Sequence, residues 1–323
     1  MKILITGCGS IGRRHAENAA DLADETAVFD LDTDLAKSVA DKTGAQLFSS
    51  LDEALSWGAD GVVIATPHKT HIDLAQQAAE SGADVLIEKP LSHDLDGVDD
   101  FLAGAEKAGR QVFVVCNMRF HPAVSTLRQN IERVGDVMYA RAQYGNYLPN
   151  MRPDSDYKKL YCAHKDQGGG VILDAIHEID YLSWFFGDVS SVLCEAAKRS
   201  DLKIDVEDYA ALVLKHENGV RSEVHLDYLQ QFKRRGCEIV GSNGTLIWQS
   251  EGKAPEHCTV RIYTAASGQW ETLFEDNDLD ASTMYKDLMS AFIANLKTRG
   301  SSVDLLTGRD AMKSLDIVLQ ARS

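Results

Sequence analysis

The chain has 323 residues, 44% hydrophobic and 25% charged, enough apolar side chains for two compact cores. Its formal net charge of −16 repels phosphate polyanions, which argues against nucleic acid and anionic membrane surfaces as partners. No apolar run is long enough to span a bilayer, and residues 1–22 carry no leader-like segment, so a cytoplasmic protein is expected.

Residues 2–6 form an apolar strand that runs into Gly7-Cys8-Gly9-Ser10-Ile11-Gly12, a G-x-G-x-x-G turn that opens a helix over 10–22. A bound pyrophosphate needs backbone N–H groups and a helix N-terminus brought close. Gly7 makes the tight turn, Gly9 lets the backbone approach the phosphates, and Gly12 lets helix and strand pack; Ser10 and Ile11 complete the loop. Glycine turns are common, and this one gains weight from the strand before it, the helix after it, and Asp30, which closes the next strand at 26–30. A carboxylate there accepts the ribose hydroxyls of an adenosine and repels a 2′-phosphate, so NAD is expected. Arg13 and Arg14 beside the turn keep NADP open.

The alternation continues through strands 46–48, 61–65, 85–88 and 111–116, with helices 33–43, 51–57, 71–81 and 95–108, the pattern of a parallel sheet with crossover helices. Right-handed crossovers place the carboxyl ends of such strands on one edge, where ligands collect. Thr66, Pro67, Glu88, Lys89 and Asn117 fall there. A lysine at that edge can hold a substrate hydroxyl and stabilise charge developing on its oxygen. His68 and His71 lack a nearby third ligand, so no metal is expected, and the six scattered cysteines read as reduced structural thiols.

After Pro122 the rhythm changes. A helix at 123–133 leads into strands 137–144, 189–197, 208–216, 221–229, 234–240, 245–249 and 260–264, with hairpin turns at 217–219 and 241–244. Helices 171–186, 283–297 and 307–320 are expected to cover one face of this sheet. The division is therefore a dinucleotide-binding domain at 1–121 and an α+β domain for substrate and oligomer contacts at 122–323. Gly168-Gly169-Gly170 opens the helix that carries Asp174 and His177, three apart and so on one face. A histidine titrates near neutrality and suits removal of a hydroxyl proton, while the acid orients the ring and stabilises the imidazolium. The aperiodic segment 147–157 carries Arg152 and Tyr157, and with Lys158 it can bind a carboxylate or phosphate; a solvated loop or a subunit contact is the plainer alternative.

In chain order, the glycine turn, Ala65-Thr66-Pro67 with His71, Glu88-Lys89-Pro90, Asn117 with Arg119-Phe120, and Asp174/His177 followed by Asp180 resemble the glucose-fructose oxidoreductase / inositol dehydrogenase / rhizopine-catabolism family. The resemblance covers essentially the whole chain, and Glu-Lys-Pro is its specific element. It implies an α/β fold: an N-terminal Rossmann domain and a C-terminal α+β domain with a large, mainly antiparallel open sheet. It also implies hydride transfer at a sugar or cyclitol carbon, with Lys89, Asp174 and His177 as the catalytic group and His177 as general base. Cofactor contacts would extend from the glycine turn and Asp30 to Thr66, Pro67, His71, Glu88, Lys89 and Asn117, and Arg119 would join Arg152 and Tyr157 at the substrate. Family members usually carry three residues between that acid and histidine; here only Ala175 and Ile176 intervene.

The resulting expectation is an NAD(P)-dependent dehydrogenase or reductase of a sugar, sugar derivative or nucleotide sugar. The competing readings are an NAD-dependent glycosidase that oxidises its substrate transiently, and a non-catalytic sugar or redox sensor. The pairing of Lys89 with His177 counts against the sensor. An open sheet leaves a broad apolar face, so a homodimer or homotetramer is expected.

Overall fold

The computed structural model describes residues 1–152, 155–252, 256–280, 282–300 and 304–322. Its contacts divide the chain into two compact units, Met1–Phe120 with Ser282–Met312, and His121–Ala281 with Lys313–Ser323.

The first unit begins β1 (Lys2–Thr6), α1 (Ser10–Leu22), β2 (Glu25–Phe29), α2 (Thr33–Thr43), β3 (Gln46–Leu47), α3 (Leu51–Ser56), β4 (Gly61–Ile64), α4 (His71–Glu80), β5 (Asp84–Ile87), α5 (Val98–Lys107) and β6 (Val112–Val114). These strands pair in parallel, and the centre of the sheet is dry on both faces. Leu4, Val62, Ile64, Val85 and Ile87 enter one apolar core, while their neighbours Ile3, Ile5, Val63, Leu86 and Phe113 enter another. Local chemistry sets the helix ends. Asp32 accepts the Asp34 and Leu35 N–H groups at the start of α2, and the Ser50 hydroxyl accepts the Glu53 N–H at the start of α3.

The second unit contains α6 (Pro122–Asn130), β7 (Val137–Gly145), α7 (Leu148–Met151), α8 (Val171–Asp174) and α9 (Ile176–Phe186). Seven strands follow: β8 (Val189–Ala197), β9 (Tyr209–His216), β10 (Arg221–Asp227), β11 (Arg234–Gly241), β12 (Gly244–Glu251), β13 (Glu256–Thr264) and β14 (Gln269–Leu279). They build an eight-stranded sheet in the order β14-β13-β12-β11-β7-β10-β9-β8. Every pairing is antiparallel except β10 with β7.

The chain ends with α10 (Thr283–Thr298), β15 (Leu306–Thr307) and α11 (Gly308–Arg322). Here the structure amends the expected division at 121/122. The α10 stripe Leu288, Met289, Phe292, Ile293 and Leu296 lies in the same core as Ile3, Ile5 and Val63, and β15 adds an antiparallel edge strand beside β6. Each such side chain contributes about 1.5–3 kcal/mol when fully buried, so this return segment is part of the first unit's core. A second amendment concerns the helix expected over 171–186. It breaks at Ala175, whose φ of −98° and ψ of 32° leave the helical region, so Asp174 ends α8 and His177 lies in the first turn of α9.

Candidate active site

At the carboxyl edge of the first sheet, the glycines do what a dinucleotide turn requires. Gly7 has φ +89°, and a Cβ there would stand 2.5 Å from the Ala65 carbonyl oxygen; a Cβ on Gly12 would stand 1.8 Å from the Gly7 oxygen. A Cβ on Gly9 would meet nothing within 4 Å, so the turn is open where a phosphate would lie. Among the described residues no side chain caps α1 at Gly9, an arrangement that suits a ligand at its first N–H groups. The Asp30 carboxylate is fixed by two main-chain donors, Cys8 N–H at 2.6 Å and Asp32 N–H at 2.8 Å. Burial, with Asp30 adding to it, pushes the Cys8 thiol up to about 12, so it stays protonated. Arg13 is exposed, and Arg14 lies over the Tyr285 ring at 4.7 Å.

Further along this edge, the Thr66 hydroxyl is 2.8 Å from that of Thr70. His71 is fully buried; its Nε2 is 2.9 Å from the Thr66 carbonyl oxygen and its Nδ1 is 3.0 Å from that of Pro90. Burial pulls its pKa down, against the pull of those carbonyls and Glu88. Glu88 pairs with the fully buried His15 at 2.7 Å and also accepts the Lys89 N–H at 3.1 Å; Lys89 itself is half-buried. Asn117 and Arg119 lie in a buried turn after β6, and the Asn117 Oδ1 has no hydrogen-bond partner among the described residues. An open phosphate turn, a fixed carboxylate and an orphaned amide oxygen on one edge together fit a dinucleotide.

In the second unit, Asp174 is gripped by phenols that the sequence did not single out. Tyr161 donates to its Oδ1 at 2.5 Å and Tyr228 to its Oδ2 at 3.1 Å. Two hydroxyl donors favour the ionised carboxylate. Burial, followed by Asp174, lifts Tyr228 well above its ordinary value, so its phenol remains a donor, and the same two causes raise the neighbouring Tyr144 to about 12. His177 is buried, and the next residue, Glu178, is fully enclosed and takes a two-point hold from Arg235 at 2.6 and 3.0 Å. Glu178 raises the Arg235 pKa against the opposing pull of burial, so the guanidinium stays charged. Arg152 is exposed, and the Tyr157 hydroxyl accepts the Lys203 N–H at 3.3 Å. Pro153 and Asp154 of the same segment lie outside the described residues. No spacing rule marks Tyr161, Tyr228 or Arg235, because their roles depend on tertiary contacts.

The model of the oxidoreductase family with an NAD-binding Rossmann fold matches residues 1–116, and that of the GFO/IDH/MocA C-terminal domain matches residues 124–247. The chain belongs to the GFO/IDH/MocA oxidoreductase family. It is 27% identical to D-apiose dehydrogenase of Paraburkholderia graminis over 97% of this chain and 84% of that one. It is 28% identical to myo-inositol 2-dehydrogenase of Thermotoga maritima over 98% and 96%. Among solved structures, UDP-N-acetylglucosamine 3-dehydrogenase of Acidithiobacillus ferrooxidans matches with a TM-score of 0.80 at 22% identity, over 100% of this chain and 96% of that one. An Agrobacterium radiobacter oxidoreductase in complex with NAD+, L-tartaric acid and magnesium gives 0.85 at 20% identity, over 100% and 96%. At these identities the structural matches establish the fold, and the family match makes this an NAD-binding oxidoreductase. No helix among the described residues is long and apolar enough to cross a membrane.

Proposed function

We propose that the protein transfers hydride between a nicotinamide cofactor and a hydroxyl-bearing carbon of a sugar, sugar derivative or nucleotide sugar. The observation that carries this reading is Lys89, half-buried after Glu88 on the same sheet edge as the open glycine turn and Asp30. Relatives that act on apiose, inositol and a UDP-sugar support the substrate class. When bound, the nicotinamide supplies a two-electron hydride acceptor or donor. Oxidation of an alcohol releases a hydride from carbon and a proton from oxygen. His177 accepts that proton, and the Lys89 ammonium orients the hydroxyl and stabilises negative charge on its oxygen. Asp174, held by the Tyr161 and Tyr228 hydroxyls, supports the positive charge that His177 gains. Arg119, Arg152 and Tyr157 bind the substrate in this proposal, and NAD is favoured over NADP because the Asp30 carboxylate disfavours a 2′-phosphate.

The protein works in the cytoplasm as a homodimer or homotetramer, with the outer face of the eight-stranded sheet as contact. Leu193 and Val213, 72% and 40% exposed, are cross-strand partners. Glu223, Arg141, Glu238 and Ile247 continue that row across successive strands. This row mixes apolar and paired charged side chains, a composition that a second copy can complement. The test is absorbance at the NADH band with NAD+ or NADP+ and a panel of sugars, uronic acids, cyclitols and nucleotide sugars. Signal with one compound supports the dehydrogenase. Silence across the panel with cofactor bound, or bond cleavage without net NADH, contradicts it and favours the sensor or the glycosidase respectively.

A further inference from the structure

Two fully buried histidines from different helices close on the Glu88-Lys89-Pro90 segment of the first unit. His15 of α1 reaches the Glu88 carboxylate with Nε2 at 2.7 Å, and its ring meets Tyr285 edge-on at 5.9 Å. His71 of α4 bridges two main-chain carbonyls, Thr66 after β4 and Pro90 after β5. A neutral ring donates to one of these carbonyls and a protonated ring to both; in either form no nitrogen is turned toward a ligand. Polar groups are costly to bury in a sheet–helix core; His71 meets that cost with both ring nitrogens and His15 with its Nε2, each by gripping a residue beside Lys89 or the strand end before it.

We propose that His15 and His71 are positioning residues: gripping the residues before and after Lys89 from two helices, they set where its ammonium stands. Both act through the main chain and Glu88, and neither touches substrate. This assigns His71 a role other than cofactor contact, and it rests on the reading of Lys89 as the lysine that holds the substrate hydroxyl. The lysine is pinned on both sides. Glu88 is drawn toward α1 while also receiving the Lys89 N–H, and Pro90 is drawn toward α4. Pinning of this kind removes main-chain freedom that would otherwise be lost each time the side chain aligned for reaction.

The test reads Lys89 without turnover. With NAD+ present, the full-length protein is acetylated briefly with acetic anhydride, and modification of Lys89 is scored by peptide mass spectrometry against the exposed Lys107 of the same unit. His71→Ala and His15→Leu should each change the Lys89 to Lys107 ratio several-fold, while Lys107 reacts at its wild-type rate. His15→Gln should restore the wild-type ratio, because its carboxamide N–H can reach Glu88; the His15 pair carries the test if His71→Ala does not fold. An unchanged ratio in the folded variants, or a change that Lys107 shares, overturns the proposal. Retained turnover in Lys89→Ala would instead remove the catalytic reading of Lys89 and leave the labelling result standing.

Discussion

His121 gives the sharpest expectation for stability. It is 2% exposed, its Nδ1 accepts the Ala123 N–H at the start of α6, and its ring lies 5.2 Å from that of the buried Trp248. Burial lowers its pKa from the ordinary 6.5 to about 4; Glu256 opposes the shift, and Arg235 and Lys233 add to it. A protonated Nδ1 can no longer accept, so acid removes the cap as well as burying a charge. Because the folded pKa is depressed, the unfolded chain binds the proton more readily. The contribution is complete above the unfolded value and is lost as pH falls from 6.5 toward 4. A pKa difference of roughly 2.5 corresponds to about 3.4 kcal/mol, of which about three quarters is gone by about pH 4.5. The assay is urea unfolding at about pH 7.5 and 4.5 for wild type and His121→Asn, whose side chain still caps a helix but does not titrate. The variant should be less stable at the higher pH and lose about 2.5 kcal/mol less on acidification. Parallel losses in the two proteins would refute the reasoning.

Gly12→Ala forces a Cβ onto the Gly7 oxygen and should weaken NADH binding by up to roughly 100-fold, read by fluorescence titration; wild-type affinity would contradict the cradle. Asp30→Asn removes the charge that disfavours a 2′-phosphate and should lower the NAD+ over NADP+ preference, measured as a ratio of Kd values. Arg235→Met leaves the enclosed Glu178 without its counter-charge and should cost about 3–5 kcal/mol of unfolding free energy. Most of that loss should return in Arg235→Met/Glu178→Leu, and a double variant as unstable as the single one would count against the pairing.

The parallel sheet could be read from the sequence because each central strand is a short apolar run followed by a helical repeat. The second sheet could be read as far as its strands alternate: β9 and β10 bury every other residue, and their register follows from the turn between them. β14 escaped because Gln269–Leu279 is polar and largely exposed, so only its ladder with β13 defines it. The α10 stripe announces a buried face but does not say which sheet it meets; only the packing shows that it joins Ile3, Ile5 and Val63. At the site, the glycine turn, Asp30 and Glu88-Lys89 stand out because their chemistry is contiguous along the chain. Tyr228 and His15 do not, since each acquires its role by meeting a carboxylate far away in sequence, and Tyr161 meets Asp174 only because the chain between them folds back through the glycine run. The break at Ala175 likewise needs the structure, because no Gly or Pro between 171 and 177 marks it.

The central claim is hydride transfer assisted by Lys89 and His177. The most direct measurement follows the NADH band for wild type, Lys89→Ala and His177→Ala with the compound that the panel identifies, alongside NADH affinity for each protein. The account predicts that both substitutions abolish turnover while cofactor affinity stays nearly unchanged. Full turnover in either variant would contradict it.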